Sequence, residues 1–382
     1  MAQRILMLHS SSDLYGASRI FLISALILRD SGHRVYIVLS EEGPLAGKLR
    51  NEGLEVFIIR LGILRRKYFN VKGLINRASI MRNAYGELVK LVKKNGINHI
   101  YSNTSAVLVG AWVGKSQKVF HTWHIHEIIT TPTWFPAFMG KIVGHCSDQI
   151  LVVSDAVKKF WSKYIPDKEL KVIYNGIDYR PYFDPAAALR KELSISEDDI
   201  LIGMIGRVSH WKGQSYFLDL AEKLSQSYPN LVFVIAGDAF PGSEHLYEEM
   251  EEQIVEYGLE EKVFTLGFRS DVPEILAALD IFVLPSILPD PLPTVILEAM
   301  ASGKPVVATA HGGACEMIRD NENGYLIPWK DASMAAAKMI PLIDNKELRG
   351  DMGKKGRERV LEHFSLAAFR RNMAKCFPLS GE

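Results

Sequence analysis

A chain of 382 residues, 48% hydrophobic and 23% charged, has the composition of an ordinary soluble protein and length enough for two domains, each with a core of its own. The three cysteines, Cys146, Cys315 and Cys376, are scattered without a CxxC pair, which argues against a disulfide scaffold or thiolate metal site and for a reduced, cytosolic protein. Met1 to His9 is one short apolar strand, too short for a signal peptide or a membrane span, so neither export nor bilayer crossing is expected.

The net charge of +1 hides an asymmetry: residues 1–180 hold 25 Lys/Arg against 13 Asp/Glu, leaving 20 against 31 for the rest. A basic half and an acidic half would attract each other across a cleft, and the basic half could lie on an anionic membrane.

In chain order, Arg4 to Ser10, Arg34 to Ser40, Val56 to Leu61, His99 to Asn103, Val119 to Trp123 and Gln149 to Ser154 are β-rich runs separated by helix-like stretches. Such alternation predicts a doubly wound parallel sheet. After the first run, SSSDLYGAS puts Gly16 before a helix, where a ligand could approach the backbone, although a plain tight turn explains it as well. No G-x-G-x-x-G is present, against a dinucleotide fingerprint. From Arg60 to Lys94 ten cations face one acid, Glu87, interleaved with Ile63, Leu64, Tyr68, Phe69, Leu74 and Ile75. That pattern fits anionic lipid or a lipid-linked pyrophosphate, or else a solvated helix face; nucleic acid is not expected, because no binding module is recognisable.

HTWHIHE, His121 to Glu127, sets three histidines beyond a strand end, with the run expected to leave the sheet before His124. No second cluster completes a zinc site, so no metal is expected. A helix from Asp155 to Tyr164 capped by Ser154 or Asp155, a strand from Lys171 to Tyr174 and an Asn175-Gly176 turn follow, and the domain boundary is expected near Pro181.

The sheet pattern restarts at Ile200 and ends in GRVSHWKGQ, where Arg207 and Lys212 flank a strand-to-helix turn beginning at Gly206. Alone, such a pair reads as surface charge; at a turn into a helix it also suits a pyrophosphate, with Arg as fork and Lys as point charge. Strands are expected at Leu231 to Gly237, Val263 to Phe268, Ile281 to Leu284, Pro305 to Thr309 and Tyr325 to Ile327. Between the third and fourth of these, Pro289, Pro291 and Pro293 stiffen a loop carrying Asp290, and Thr294 to Ala301 reads as a helix carrying Glu298 and ending at Gly303. The N–H groups of Leu292, Thr294 and Val295 would offer an anion seat, and the two acids would suit sugar hydroxyls, although a lone Glu298 reads as a solvated helix residue. Helices are expected at Met334 to Ile343, Leu348 to Phe364 and Leu366 to Cys376.

The segment from Asp290 to Thr309 resembles the acidic-x7-Glu signature of the retaining glycosyltransferases of family 4, with LEAMASGKPVVAT matched from Leu297. Asp290 replaces the usual first Glu, and Pro-Leu-Pro-Thr replaces a glycine-containing loop. The Arg207-x4-Lys212-Gly stretch matches the family's phosphate clamp, and VIYNGID resembles its interdomain crossing. The resemblance implies a GT-B architecture: two Rossmann-like doubly wound α/β domains facing a cleft, residues 1–180 on the acceptor side and 181–364 binding nucleotide sugar, with 365–382 crossing back. It implies transfer of a hexosyl unit from a nucleotide diphosphate sugar, UDP before GDP, to a hydroxyl with retention and without a metal or other cofactor. Arg207 and Lys212 would then hold the diphosphate, Glu298 the ribose, Asp290 the donor sugar, and His126 followed by Glu127 would face that sugar, with His124 as rival. Gly267, Phe268 and Arg269 would meet the base. The implied acceptor is a glycan or lipid-linked oligosaccharide of bacterial surface polysaccharide, used at the inner face of the cytoplasmic membrane. A nucleotide-sugar 2-epimerase of the same architecture, or a non-catalytic nucleotide-sugar-binding subunit of a polysaccharide assembly complex, stays open as an alternative.

Overall fold

The computed structural model describes residues 2–14, 16–64, 68–239 and 242–379, and the chain forms two compact units, residues 1–177 with 366–382 and residues 178–365. The division at Ile177 lies three residues before the expected boundary, and the closing helix Leu366–Cys376 belongs to the first unit.

The first unit is built on a seven-stranded sheet whose recorded pairings are all parallel: β1 (Arg4–His9), β2 (Arg34–Leu39), β3 (Glu55–Ile58), β4 (His99–Asn103), β5 (Phe120–Ile125), β6 (Gln149–Val152) and β7 (Leu170–Val172). Their order is β3-β2-β1-β4-β5-β6-β7. The central strands are continuous runs of buried residues because helices cover both faces, and one core cluster joins Leu6, Leu8, Tyr36, Val38 and Ile100 to the helix Val71–Asn95. Asn70 accepts from the Gly73 N–H at 2.8 Å to start that helix, and Gly96 in the left-handed region ends it. Of the basic stretch from Arg60 to Lys94, Arg65, Arg66 and Lys67 lie outside the described residues. The strand at β5 corrects the expectation that the chain leaves the sheet before His124: it runs to Ile125, with His124 opposite Asn103. There the Tyr101 hydroxyl pairs with the His124 Nδ1, while the Nε2 of that ring is buried without a partner among the described residues. The closing helix buries Phe369 and Met373, and His33 Nε2 donates to the Phe377 carbonyl just beyond it at 3.1 Å.

The second unit holds six strands, again with parallel pairings: β8 (Ile200–Ile205), β9 (Leu231–Ala236), β10 (Val263–Thr265), β11 (Ile281–Leu284), β12 (Val306–Thr309) and β13 (Gly324–Ile327), in the order β10-β9-β8-β11-β12-β13. The order reverses between β8 and β11, the switch point where an open α/β sheet leaves a crevice at its carboxyl edge. The loops after β8 and β11 therefore emerge side by side. Among the described residues no helix is long and apolar enough to cross a membrane.

Candidate functional site

In the second unit, the turn after β8 carries Gly206, Arg207 and Lys212 and enters the helix Gln214–Ser225. Gln214, 4% exposed, donates from Nε2 to the Arg207 carbonyl at 3.0 Å and so closes the turn on itself. Gly213 has φ +83°, and a Cβ there would stand 2.0 Å from the Pro285 carbonyl oxygen, so only glycine lets this turn lie on the chain leaving β11. The Ile287 N–H donates to the Trp211 carbonyl at 2.9 Å, fastening the two loops together. By contrast, a Cβ on Gly206 would meet only the Lys212 Cδ, at 3.8 Å.

The loop after β11 brings Asp290 against this turn, and its Oδ2 pairs with Lys212 Nζ. The opposite side of the loop rests on Gly312 and Gly313: the Gly313 N–H donates to the Asp290 carbonyl at 2.8 Å, and a Cβ on Gly312 (φ +61°) would come within 2.3 Å of that carbonyl. His311 Nε2 donates to the Ser286 carbonyl at 2.6 Å, a further anchor of the loop. The helix Thr294–Ala301 then starts from Pro293 with no side-chain cap, behind buried Leu292 and with Thr294 and Val295 half-buried, so the free donors of its first turn sit at the same carboxyl edge. Glu298 is 6% exposed, which removes the solvated reading. A carboxylate so enclosed is costly unless it has polar work to do.

Beyond β10, Gly267 (φ +59°) accepts from the Gly237 N–H at 2.8 Å, and Phe268 is 64% exposed. The Arg269 guanidinium is taken by Asp271 at 2.6 Å and Glu192 at 2.7 Å.

In the first unit His126 follows the end of β5 and terminates a chain of hydrogen bonds. The Ser18 hydroxyl donates to Asp13 at 2.7 Å, so His9 Nε2 must donate to Ser18, at 2.9 Å. His9 Nδ1 then accepts from the Asn103 amide at 3.0 Å, and the Asn103 oxygen accepts from His126 Nε2 at 2.9 Å. Burial, followed by the neighbouring His124 and His9, pushes the His126 pKa well below the ordinary histidine value. The ring is neutral, with its proton on Nε2 and its lone pair on Nδ1. His124, by contrast, is fully buried within β5. Glu127 spends Oε2 on the N–H groups of Ser105 (3.0 Å) and His126 (3.2 Å), while burial raises its pKa. Gly16 opens the helix Gly16–Asp30; an added Cβ would meet nothing within 4 Å, so packing does not demand a glycine there. Among the described residues no three His, Cys, Asp or Glu side chains are grouped to hold a metal ion.

The structure thus brings together Arg207, Lys212, Asp290 and the first turn leading to Glu298. Asn103, Gln214 and His311 escaped the sequence reading. Gln214 alone left a signal there, as the last residue of the turn motif.

A model of the glycosyl transferases group 1 matches residues 186–359, and one of glycosyltransferase family 4 matches residues 16–180. The UDP-Gal:α-D-GlcNAc-diphosphoundecaprenol α-1,3-galactosyltransferase of Escherichia coli is 26% identical over 373 residues, 92% of this chain and 91% of that one. The lipopolysaccharide core biosynthesis mannosyltransferase LpsB of Rhizobium meliloti is 28% identical over 71% of this chain and 82% of its own. Among solved structures, Anabaena HepE in complex with UDP and glucose superposes with a TM-score of 0.84 at 25% identity, covering 98% of this chain and 99% of that one. Two parallel-sheet units of this kind are the GT-B fold, and the chain belongs to the family 4, group 1 glycosyltransferases.

Proposed function

We propose that this glycosyltransferase is a retaining, metal-independent hexosyltransferase that uses a UDP-sugar and extends a lipid-linked glycan of a bacterial surface polysaccharide at the inner face of the membrane. The observation that carries the reading is the convergence of the Arg207–Lys212 turn, the Asp290 loop and the start of the helix bearing Glu298 at one sheet edge. Arg207 and Lys212 stabilise the charge that grows on the leaving diphosphate, assisted by the first-turn N–H groups of Thr294 and Val295, and two cations stand in for a metal. Glu298 accepts from the ribose hydroxyls and Asp290 from the donor hexose. The main chain of Gly267, Phe268 and Arg269 takes the base, and Nδ1 of His126 accepts from a hexose hydroxyl. The acceptor hydroxyl attacks on the face the diphosphate leaves, so no protein nucleophile is required.

Support for the donor comes from Anabaena HepE, whose structures hold UDP with glucose and UDP-glucose, and from the UDP-Gal enzyme of Escherichia coli. The diphosphoundecaprenol acceptor of the latter supports the acceptor class. The test is titration calorimetry with UDP and with GDP in chelator, repeated on Arg207→Ala and Glu298→Ala, followed by NMR of the product's anomeric centre. UDP binding lost in both variants and an unchanged anomeric configuration are expected. Binding of neither nucleotide by the folded protein, or an inverted product, would sink the proposal.

A further inference from the structure

Two helices of this chain carry opposite charge on their outward faces. The helix Val71–Asn95 bears six cations, among them Lys72, Arg82, Lys90 and Lys93, against the one acid Glu87. The helix His245–Glu256 bears Glu248, Glu249, Glu251, Glu252 and Glu256 and no Lys or Arg. Among the described residues these four cations and five glutamates are exposed, and their side chains make no ion pair or hydrogen bond. Each helix repels itself: Glu252 stands one turn from both Glu248 and Glu256, and Lys90 one turn from Lys93 and Lys94. The charges also oppose the helix dipoles, since Lys72 lies in a first turn without an acid and Glu256 in a last turn without a base. A face of opposite sign would relieve both penalties.

A run of like charge is ordinarily a solvated face. These two differ in having apolar side chains among the charges: Val71 and Ile75 are 75% and 66% exposed, and Val255 is 62% exposed. By helical spacing Ile75 and Arg82 share the stripe opposite the buried Ala84 and Leu88, and Glu248, Glu252 and Val255 share the one opposite the buried Met250 and Ile254. The seven-residue step from Ile75 to Arg82 equals that from Glu248 to Val255. Laid antiparallel, the two helices therefore bring Ile75 against Val255 and Arg82 level with Glu248, while Lys72 reaches the carbonyl end of the acidic helix and opposite dipole ends meet. The basic face belongs to the first unit and the acidic face to the second, so every copy of the chain offers both.

We propose that the chain associates with a second copy of itself, the helix Val71–Asn95 of one lying antiparallel along the helix His245–Glu256 of the other, with Ile75 and Val255 at the centre and the charges around them. The 12 residues of the acidic helix span about 18 Å and cover about half of the 25-residue basic helix. That is a small contact with a charged rim, so the association is weak, reversible and sensitive to salt.

The test is sedimentation velocity of the full chain over a concentration series, at about 0.02 M and about 0.5 M salt. At low salt the mean mass should rise above 42.9 kDa with concentration, and high salt should weaken the association at least about tenfold. Glu248→Lys with Glu252→Lys, and Lys72→Glu with Arg82→Glu, should each weaken it about tenfold at low salt. The chain carrying all four reversals keeps the wild-type net charge and should regain the association, which separates pairing of these faces from a general charge effect. Val255→Ser should weaken it at both salt concentrations. Because the altered positions are exposed, every variant should keep the wild-type Tm. A wild type that stays monomeric at low salt overturns the proposal, and so does association that the four reversals fail to restore. Two forms of the monomeric result say where the faces go instead. Loss of binding to phosphatidylglycerol vesicles in the Lys72→Glu, Arg82→Glu variant gives the basic helix to a membrane, and salt-sensitive compaction without a change of mass gives the two faces to each other within one chain.

Discussion

Lys212 Nζ and Asp290 Oδ2 form an ion pair across 78 residues of sequence, with side chains only 18% and 17% exposed. In the proposed mechanism the lysine serves the diphosphate and the aspartate the hexose, so a donor must part them. Asp290→Asn is therefore expected to tighten UDP about threefold to tenfold while slowing transfer about a hundredfold, whereas Lys212→Ala weakens UDP. Calorimetry and initial rates on the two variants decide it, and an Asp290→Asn protein with unaltered UDP affinity would remove the competition.

Two glycines should respond differently to alanine. Gly312 has a left-handed φ of +61° and a carbonyl oxygen 2.3 Å from where Cβ would go, so Gly312→Ala should lower stability by about 1–3 kcal/mol and shift the Asp290 loop. At Gly16 a Cβ meets nothing. Gly16→Ala should leave the Tm unchanged yet raise KM if a ligand approaches that helix start; an unchanged KM would return Gly16 to a plain turn.

The hydrogen-bond chain from Asp13 to Asn103 fixes the His126 tautomer. Asn103→Leu removes both amide contacts, and kcat should fall about tenfold or more with UDP affinity unchanged, because UDP has no hexose for His126 to hold. The position of the His126 imidazole nitrogen signals in NMR should change from the Nε2–H pattern to a mixture. Retention of that pattern in the variant would mean the ring is held by other contacts.

The first unit should be acid-sensitive. His9 and His121 are pushed down to about 4, and His99 and His124 to about 3, in each case chiefly by burial. The unfolded chain takes up these protons near the ordinary 6.5 and the folded chain only at the lowered values, so the stability present above the ordinary value is lost as pH falls through that window. Each histidine contributes roughly 1.4 kcal/mol per pH unit there. Urea unfolding followed through the buried Trp123 and Trp161 should show a steep loss of midpoint between about pH 6.5 and about pH 4.5, and a flat midpoint would contradict the neutral histidine cluster.

Glu298→Gln keeps the volume of a side chain that is 6% exposed and removes its charge. UDP binding should weaken about tenfold, with uracil base binding untouched, if the carboxylate serves the ribose. Equal loss for uracil and UDP would assign Glu298 to holding the helix in place.

Much of this was legible in the residues. Runs such as Ile281–Leu284 and residues 306–308 declare buried parallel strands because helices on both faces favour apolar residues at successive positions, and Pro-Asp-Pro-Leu-Pro followed by Thr294–Ala301 declares a stiff loop and a helix. The acid and cation candidates could be named from local spacing alone. What local spacing cannot carry is strand order. Only the adjacency of β8 and β11 decides that Lys212 meets Asp290, and only the backbone contacts at Gly213 and Gly312 decide that the two loops can lie so close. His124 and His126, two residues apart, differ for the same reason: one is enclosed by the strands on either side, and the other takes its tautomer from Asn103, 23 residues away on a neighbouring strand. Which groups touch is fixed by long-range packing, and packing has no record in the order of a few neighbouring residues.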